Sequence, residues 1–221
     1  MLNSEEGLVA AGDPGRPGRT YQSARRTQAA ADTRMAILDA ARHLFLGHGY
    51  GKVTVQDIAR EATTAVPTVY ASTGGKAAIL GILIDEAMVD PIVGETLAKV
   101  DQCGDARDAI AELVHGVRVD NERYHDIVAI MRDAATLDET AAGVLERSDA
   151  YYRQCLEKAI DHIRETGALG AGLTSERAAD IAWFYLGHDA WNLLVLAGRW
   201  SWDDAEQWLT GQLTAALLGP R

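Results

Sequence analysis

The chain has 221 residues, 48% of them hydrophobic and 24% charged, the proportions of a folded globular protein, which exclude wholesale disorder and allow one large or two modest domains. No apolar run reaches the roughly 18 residues needed to cross a bilayer, and the opening MLNSEEGLVAAGDPGRPGR is acidic where a secretory signal needs positive charge, which predicts a cytoplasmic protein with no membrane partner. The net charge of −11 excludes a surface coated uniformly for nucleic acid, but residues 1–80 hold nine Lys/Arg against seven Asp/Glu while residues 81–221 hold twelve against twenty-five.

Residues 1–31 read as a flexible basic arm: Gly and Pro recur without an apolar period, and Arg16, Arg19, Arg25 and Arg26 crowd it. From Asp32 or Thr33, the residues Met35, Ile37, Leu38, Ala41, Leu44 and Phe45 recur at helical spacing, and HGYGK ends that run at Gly49. Thr54 then opens a short helix, with Asp57 three residues on to complete a capping box. A break follows, then a helix of about two turns to Tyr70 and a second break at STGGK. A long helix starts near Lys76 and is bent or interrupted at Pro91. Further helices are predicted at 105–121, 123–134, 139–167, 175–197 and 203–218. Nothing alternates with period two over a useful length, so the fold class is all-α.

Three short helices followed by a long one, two of them meeting at a tight turn, form a helix-turn-helix plan. The segment TRMAILDAARHLFLGHGYGKVTVQDIAREA, followed by TVY and GGKAAIL (Thr33 to Leu80), resembles the DNA-binding domain of the TetR family of bacterial transcriptional regulators. The closing GRWSWDDAEQWLTGQLTAALLG is similar to the last helix of many members. The resemblance implies a three-helix DNA-binding domain over 32–78 and a larger helical ligand-binding and dimerisation domain over 79–221. It also implies that Thr54 and Gln56 lie near the DNA backbone and that a third helix from about Ala65 to Tyr70 enters the major groove. Thr68 and Tyr70 would then contact phosphate or base edges, and Lys76 would bind phosphate.

The turn departs from the family pattern. Members usually read A-G-V-S where this chain reads Ala62-Thr63-Thr64-Ala65. Thr63 reaches a positive φ only at a cost of about 1–3 kcal/mol, and Ala65 lacks the capping hydroxyl, worth about 0.5–2 kcal/mol. Thr64 is therefore expected to cap the third helix one residue early, on the amide of Val66, with Pro67 harmless in the first turn. Thr73 stands where members usually carry an aromatic ring, so the packing under Tyr70 is expected to change. Residues 63–70 contain no Arg, Lys, Asn or Gln, the side chains that read bases bidentately. The contact set there is Thr64, Ala65, Val66, Pro67, Thr68 and Tyr70, with hydroxyls and methyl groups. Specificity is expected to lean on Gln56, on DNA shape and on Arg25 and Arg26 of the arm reaching an adjacent groove.

In the second half, Ala178, Ile181, Ala182, Tyr185, Leu186, Leu193 and Leu194 recur at helical spacing, as do Trp208, Leu209, Leu213, Ala216 and Leu217. These last two helices are expected to form a homodimer's four-helix bundle, which suits a palindromic double-stranded operator. The middle helices offer aromatic walls and a few polar handles for an unidentified small molecule: Tyr124, Met131, Tyr152, Trp183, His188, Trp191 and Asn192, with His125 and Tyr151 nearby. No constellation for catalysis, cofactor binding or metal ligation occurs, and Cys103 and Cys155 read as reduced thiols. The expected protein is a ligand-released repressor and not an enzyme. The alternative is an all-α ligand-binding protein or enzyme that does not bind DNA.

Overall fold

The structure is a computed structural model that describes residues 18–219, with side chains from residue 24 onward. Ten α-helices follow one another, with no strand among the described residues. The first is α1 (Gly18–His48), whose stripe Ile37, Leu38, Ala41, Leu44 and Phe45 is buried. A 3-10 turn (Tyr50–Lys52) leads to α2 (Val55–Glu61), and the expected capping box is present. The Thr54 hydroxyl accepts from the Asp57 amide at 3.2 Å, and the Asp57 carboxylate accepts from the Thr54 amide at 3.0 Å. After α3 (Val66–Thr73) come α4 (Lys76–Met88) and α5 (Pro91–Gln102), separated where Pro91 predicts. Asp90 caps α5 by accepting from the Ile92 amide at 2.9 Å.

The rest of the chain is α6 (Ala106–Ala135), α7 (Glu139–Glu165), α8 (Ser175–Leu186), the single turn α9 (His188–Trp191), a π-helical turn (Asn192–Ala197) and α10 (Trp202–Leu218). The core falls into two clusters. One unites α1 to α4 with Ile127–Ala134 of α6 and Ala141 and Val144 of α7; the other joins α5 to α10. Helix α6 therefore contributes to both. No described helix is long and apolar enough to cross a membrane.

Three boundaries differ from the sequence expectation. Residues 18–31, expected within the flexible arm, continue α1; residues 1–17 lie outside the described residues. Ala24 and Ala29 to Ala31, with Arg25, Arg26 and Gln28 between, are strong helix formers, and a helix already nucleated and packed further along extends at little cost. The helices expected at 105–121 and 123–134 are one. Asn121, the polar residue at the expected break, is buried but satisfied, its side-chain amide donating to the Val117 carbonyl at 2.9 Å and its oxygen accepting from His188 Nδ1 at 2.8 Å. The helix expected over 175–197 stops at Leu186, where Gly187 is extended and a β-carbon would meet the Trp183 carbonyl at 2.7 Å.

Candidate functional site

The head of the molecule carries the turn between α2 and α3. Helix α2 ends with Thr63 at φ 51°, a left-handed backbone. The Thr64 amide donates to the Ala59 carbonyl at 2.9 Å and the Thr63 amide to the Arg60 carbonyl at 3.2 Å. These two bonds are a Schellman closure, with Thr63 in the position that usually holds glycine. The turn keeps its shape and the threonine carries the strain.

That closure also explains why Thr64 is not the cap. Its backbone is committed to ending α2, and α3 begins at Val66 after Ala65, which provides no side-chain cap. The expected early start is therefore corrected. Thr63→Gly should relieve the left-handed strain, offset in part by the greater unfolded-state freedom of glycine. The net gain is about 1 kcal/mol, and the thermal midpoint should rise by roughly 2–4 °C. A variant that melts no later than the parent would show that Thr63 carries no such strain.

Around this turn, Thr54, Gln56, Ala65, Pro67 and Tyr70 are exposed, as are Arg25 and Arg26 on α1. Tyr70 is 56% exposed, so it is available to a partner and is not a core residue. Thr64 and Thr68 are half-buried, and Val66 turns partly into the head's core. The Thr54 hydroxyl donates to Asp57 at 2.6 Å, so its proton is directed inward. Thr73 is buried and its hydroxyl donates to the Val69 carbonyl at 2.9 Å, a polar substitute for a ring under α3. Arg34, which sequence reasoning passed over, donates to the Ser72 carbonyl at 2.8 Å and holds the C-terminal end of α3 against α1.

Lys76 is not free. Its Nζ donates to the Tyr50 carbonyl at 2.8 Å and stands 4.1 Å from the centre of that ring. Burial lowers its pKa, against the pull of Asp138. Tyr50 in turn donates its hydroxyl to Asp138 at 3.0 Å, at the start of α7. Arg42 of α1 pairs with Asp126 of α6 at 2.6 Å. The head is thus tied to α6 and α7 by charged and polar contacts, and a phosphate contact by Lys76 requires it to leave this seat.

Two neighbouring cavities of about 50 Å³ each lie between α4, α5, α6 and α7, sharing Val93, Asp120, Tyr151 and Tyr152 as walls. Of the expected ligand set, Tyr124, Tyr152 and His188 line them. Met131 and Trp191 do not, being fully buried in the two apolar clusters. Trp183 packs edge-on behind Tyr152 with ring centres 5.6 Å apart and opens onto a separate outer groove. Asn192 begins the π-helical turn and lines neither cavity.

His188 is a satisfied histidine. Its Nδ1 is bonded to Asn121 and its ring lies 4.9 Å from that of Tyr152. Burial, then the nearby Arg132, depress its pKa to about 4, so it is neutral at neutral pH. The Tyr152 hydroxyl donates to the Leu186 carbonyl at 2.7 Å.

Asp120 was missed. Burial, then the neighbouring Asp90, raise its pKa to about 6 while Arg123 opposes. A signal existed: Leu113, Val117, Asp120, Tyr124 and Ile127 recur at helical spacing, so a carboxylate interrupts an apolar stripe. Dividing α6 near 121 hid that stripe.

Residues 37–81 match the model of the bacterial regulatory proteins, tetR family. No curated protein matches the chain. Among solved structures, NalD, the secondary repressor of the MexAB-OprM multidrug efflux pump in Pseudomonas aeruginosa, superposes with a TM-score of 0.71 at 20% identity, over 86% of this chain and 98% of its own. SmeT in complex with triclosan gives 0.69 at 21% identity, over 84% and 91%. FadR from Bacillus subtilis in complex with stearoyl-CoA gives 0.68 at 16%, over 82% and 98%. At these identities the structures establish the fold. Residues 37–81 thus form a segment that matches the model of the bacterial regulatory proteins, tetR family, and the chain as a whole shares the fold of these regulator structures.

Proposed function

We propose that the protein is a homodimeric, cytoplasmic repressor that releases a palindromic operator when a small molecule enters the cavity between α4 and α7. The observation that carries this reading is the course of α4. It starts at Lys76, in contact with the head through Tyr50, and ends at the cavity, where Ile84, Ala87 and Met88 form part of the wall. A ligand that pushes these residues tilts a stiff rod whose other end is in the head. The functional units are then a head over 32–78, preceded by the basic residues of α1, and an effector and dimer domain over 79–221.

The cavity is far smaller than the 300–1,000 Å³ or so typical of ligand sites, so occupancy demands that its walls move. A coupling of about 1–3 kcal/mol between the two sites suffices. The complexes of SmeT with triclosan and of a FadR with stearoyl-CoA support an effector held in this fold. Dimerisation is supported by Phe184, Leu193 and Trp208, which are exposed around one outer groove of about 430 Å³ beside α8 and α10. Such an apolar patch is one that a second copy covers. Two recognition helices about 34–36 Å apart would then fit successive major grooves.

The test is footprinting on the DNA upstream of the protein's own coding region. A protected palindrome is expected, and the absence of protection at low salt would remove the reading. Tyr70→Ala should weaken operator binding about tenfold while leaving the melting temperature unchanged, since the ring is exposed.

A further inference from the structure

Asp120 is the one acidic side chain on the wall of both cavities among the described residues. It makes no hydrogen bond and no ion pair with any described residue. Its neighbour Asp90 differs: it accepts from Arg123 at 2.7 Å, from the Tyr124 hydroxyl at 2.5 Å and from the Ile92 amide at 2.9 Å. Those contacts keep Asp90 ionised and engage Arg123 directly with Asp90, so that Arg123 acts on Asp120 only from a distance. No Lys or Arg lines either cavity, and His188 is kept neutral by its burial. The cavities therefore border a half-buried carboxylate that no cation pairs with directly, beside the rings of Tyr124, Tyr151 and Tyr152 and walls that are otherwise mostly aliphatic.

We propose that this cavity takes an organic cation, an ammonium bearing apolar or aromatic groups, with its positive charge seated between Asp120 and the tyrosine rings. An anion taken partly out of water is stabilised by a paired cation, and the tyrosine ring faces attract the same charge. A neutral ligand would leave Asp120 unpaired, and an anion would add like-charge repulsion, so the same carboxylate selects for one charge and against the other. The shape of the site adds a limit. Each cavity is small, so the cation must be compact or must part α5 from α7 as it enters. The assignment deepens the regulator reading and rests on it for the consequence of binding, though not for binding itself.

The probes are phenyltrimethylammonium, its neutral isostere tert-butylbenzene and the anion benzenesulfonate, titrated calorimetrically into the full-length protein. The cation should bind at least about tenfold tighter than tert-butylbenzene, and benzenesulfonate should not bind. In Asp120→Asn, confirmed folded by its thermal melt, the preference should fall to within about threefold while tert-butylbenzene binds as well or better. Absence of cation binding, equal binding of the two isosteres, or a preference that survives in Asp120→Asn would each overturn the assignment.

Operator release is read separately by anisotropy of a labelled duplex. Asp120-dependent cation binding without release upholds the cation site and removes the effector role. Release by tert-butylbenzene with no cation preference does the reverse.

Discussion

Adding one methyl group at Gly116 is expected to lower stability by about 2 kcal/mol and the thermal midpoint by roughly 4–8 °C. Gly116 sits in the middle of α6 where α5 crosses it. A β-carbon there would lie 2.0 Å from Thr96 Oγ1, 2.3 Å from its Cγ2 and 2.7 Å from its Cβ. Thr96 is itself buried, so it has nowhere to turn and α5 must move as a body. Overpacking of this kind costs about 1–3 kcal/mol, occasionally more. Against it stands the roughly 1 kcal/mol by which alanine favours a helix interior over glycine.

With three sub-contact distances the clash wins. Thr96→Ala removes the two shortest of them, so Gly116→Ala should be much less damaging in that background. The pair of melts separates a local clash from a general intolerance. If Gly116→Ala melts with the parent, the close crossing of α5 and α6 is not a constraint. Because both residues also line the cavity, the same substitution should alter ligand binding through the wall's position.

The second large effect depends on pH. Asp120→Asn should equal the parent in stability near pH 4 and exceed it by about 2–3 kcal/mol above pH 7. The folded-state pKa of about 6 lies above the ordinary carboxyl value of 3.8. Between those values the folded protein binds more protons than the unfolded chain. The stability that comes from keeping Asp120 protonated is therefore complete below about pH 4 and lost as pH rises through 6. Asparagine has the same shape and no charge to desolvate.

Asp90 and Arg123, the charged groups facing Asp120, act in opposite senses, so burial sets the sign. Urea unfolding of both proteins at pH 4.5 and 7.5 checks this. A stability difference that does not widen between the two would mean that Asp120 is solvated when ionised. The cation site predicts a further consequence: phenyltrimethylammonium should stabilise the parent at pH 7.5 far more than the variant.

Much of the head was legible in the residues because its decisive interactions are local. The Thr54–Asp57 capping box spans three residues, the break at Pro91 follows from a missing amide, and the left-handed strain at Thr63 follows from a β-branched residue in a glycine position. The cap on α3 was misread one link later. Whether Thr64 could turn to Val66 depended on where the end of α2 had already committed its backbone. The seat of Lys76 was not legible for a longer-range reason, since Tyr50 and Asp138 meet it from elements 26 and 62 residues away.

The second half shows the division most plainly. Helical periodicity determined that the chain is all-α, where most helices lie and which of their faces are apolar, because those properties depend on spacing along one helix. Only the tertiary structure decided which apolar faces meet one another and which enclose space. Trp191 and Met131 are core, Tyr124 and Tyr152 are wall, and Asp120 is the charge between them, because what each side chain faces is set by another helix crossing at an angle that no single helix encodes.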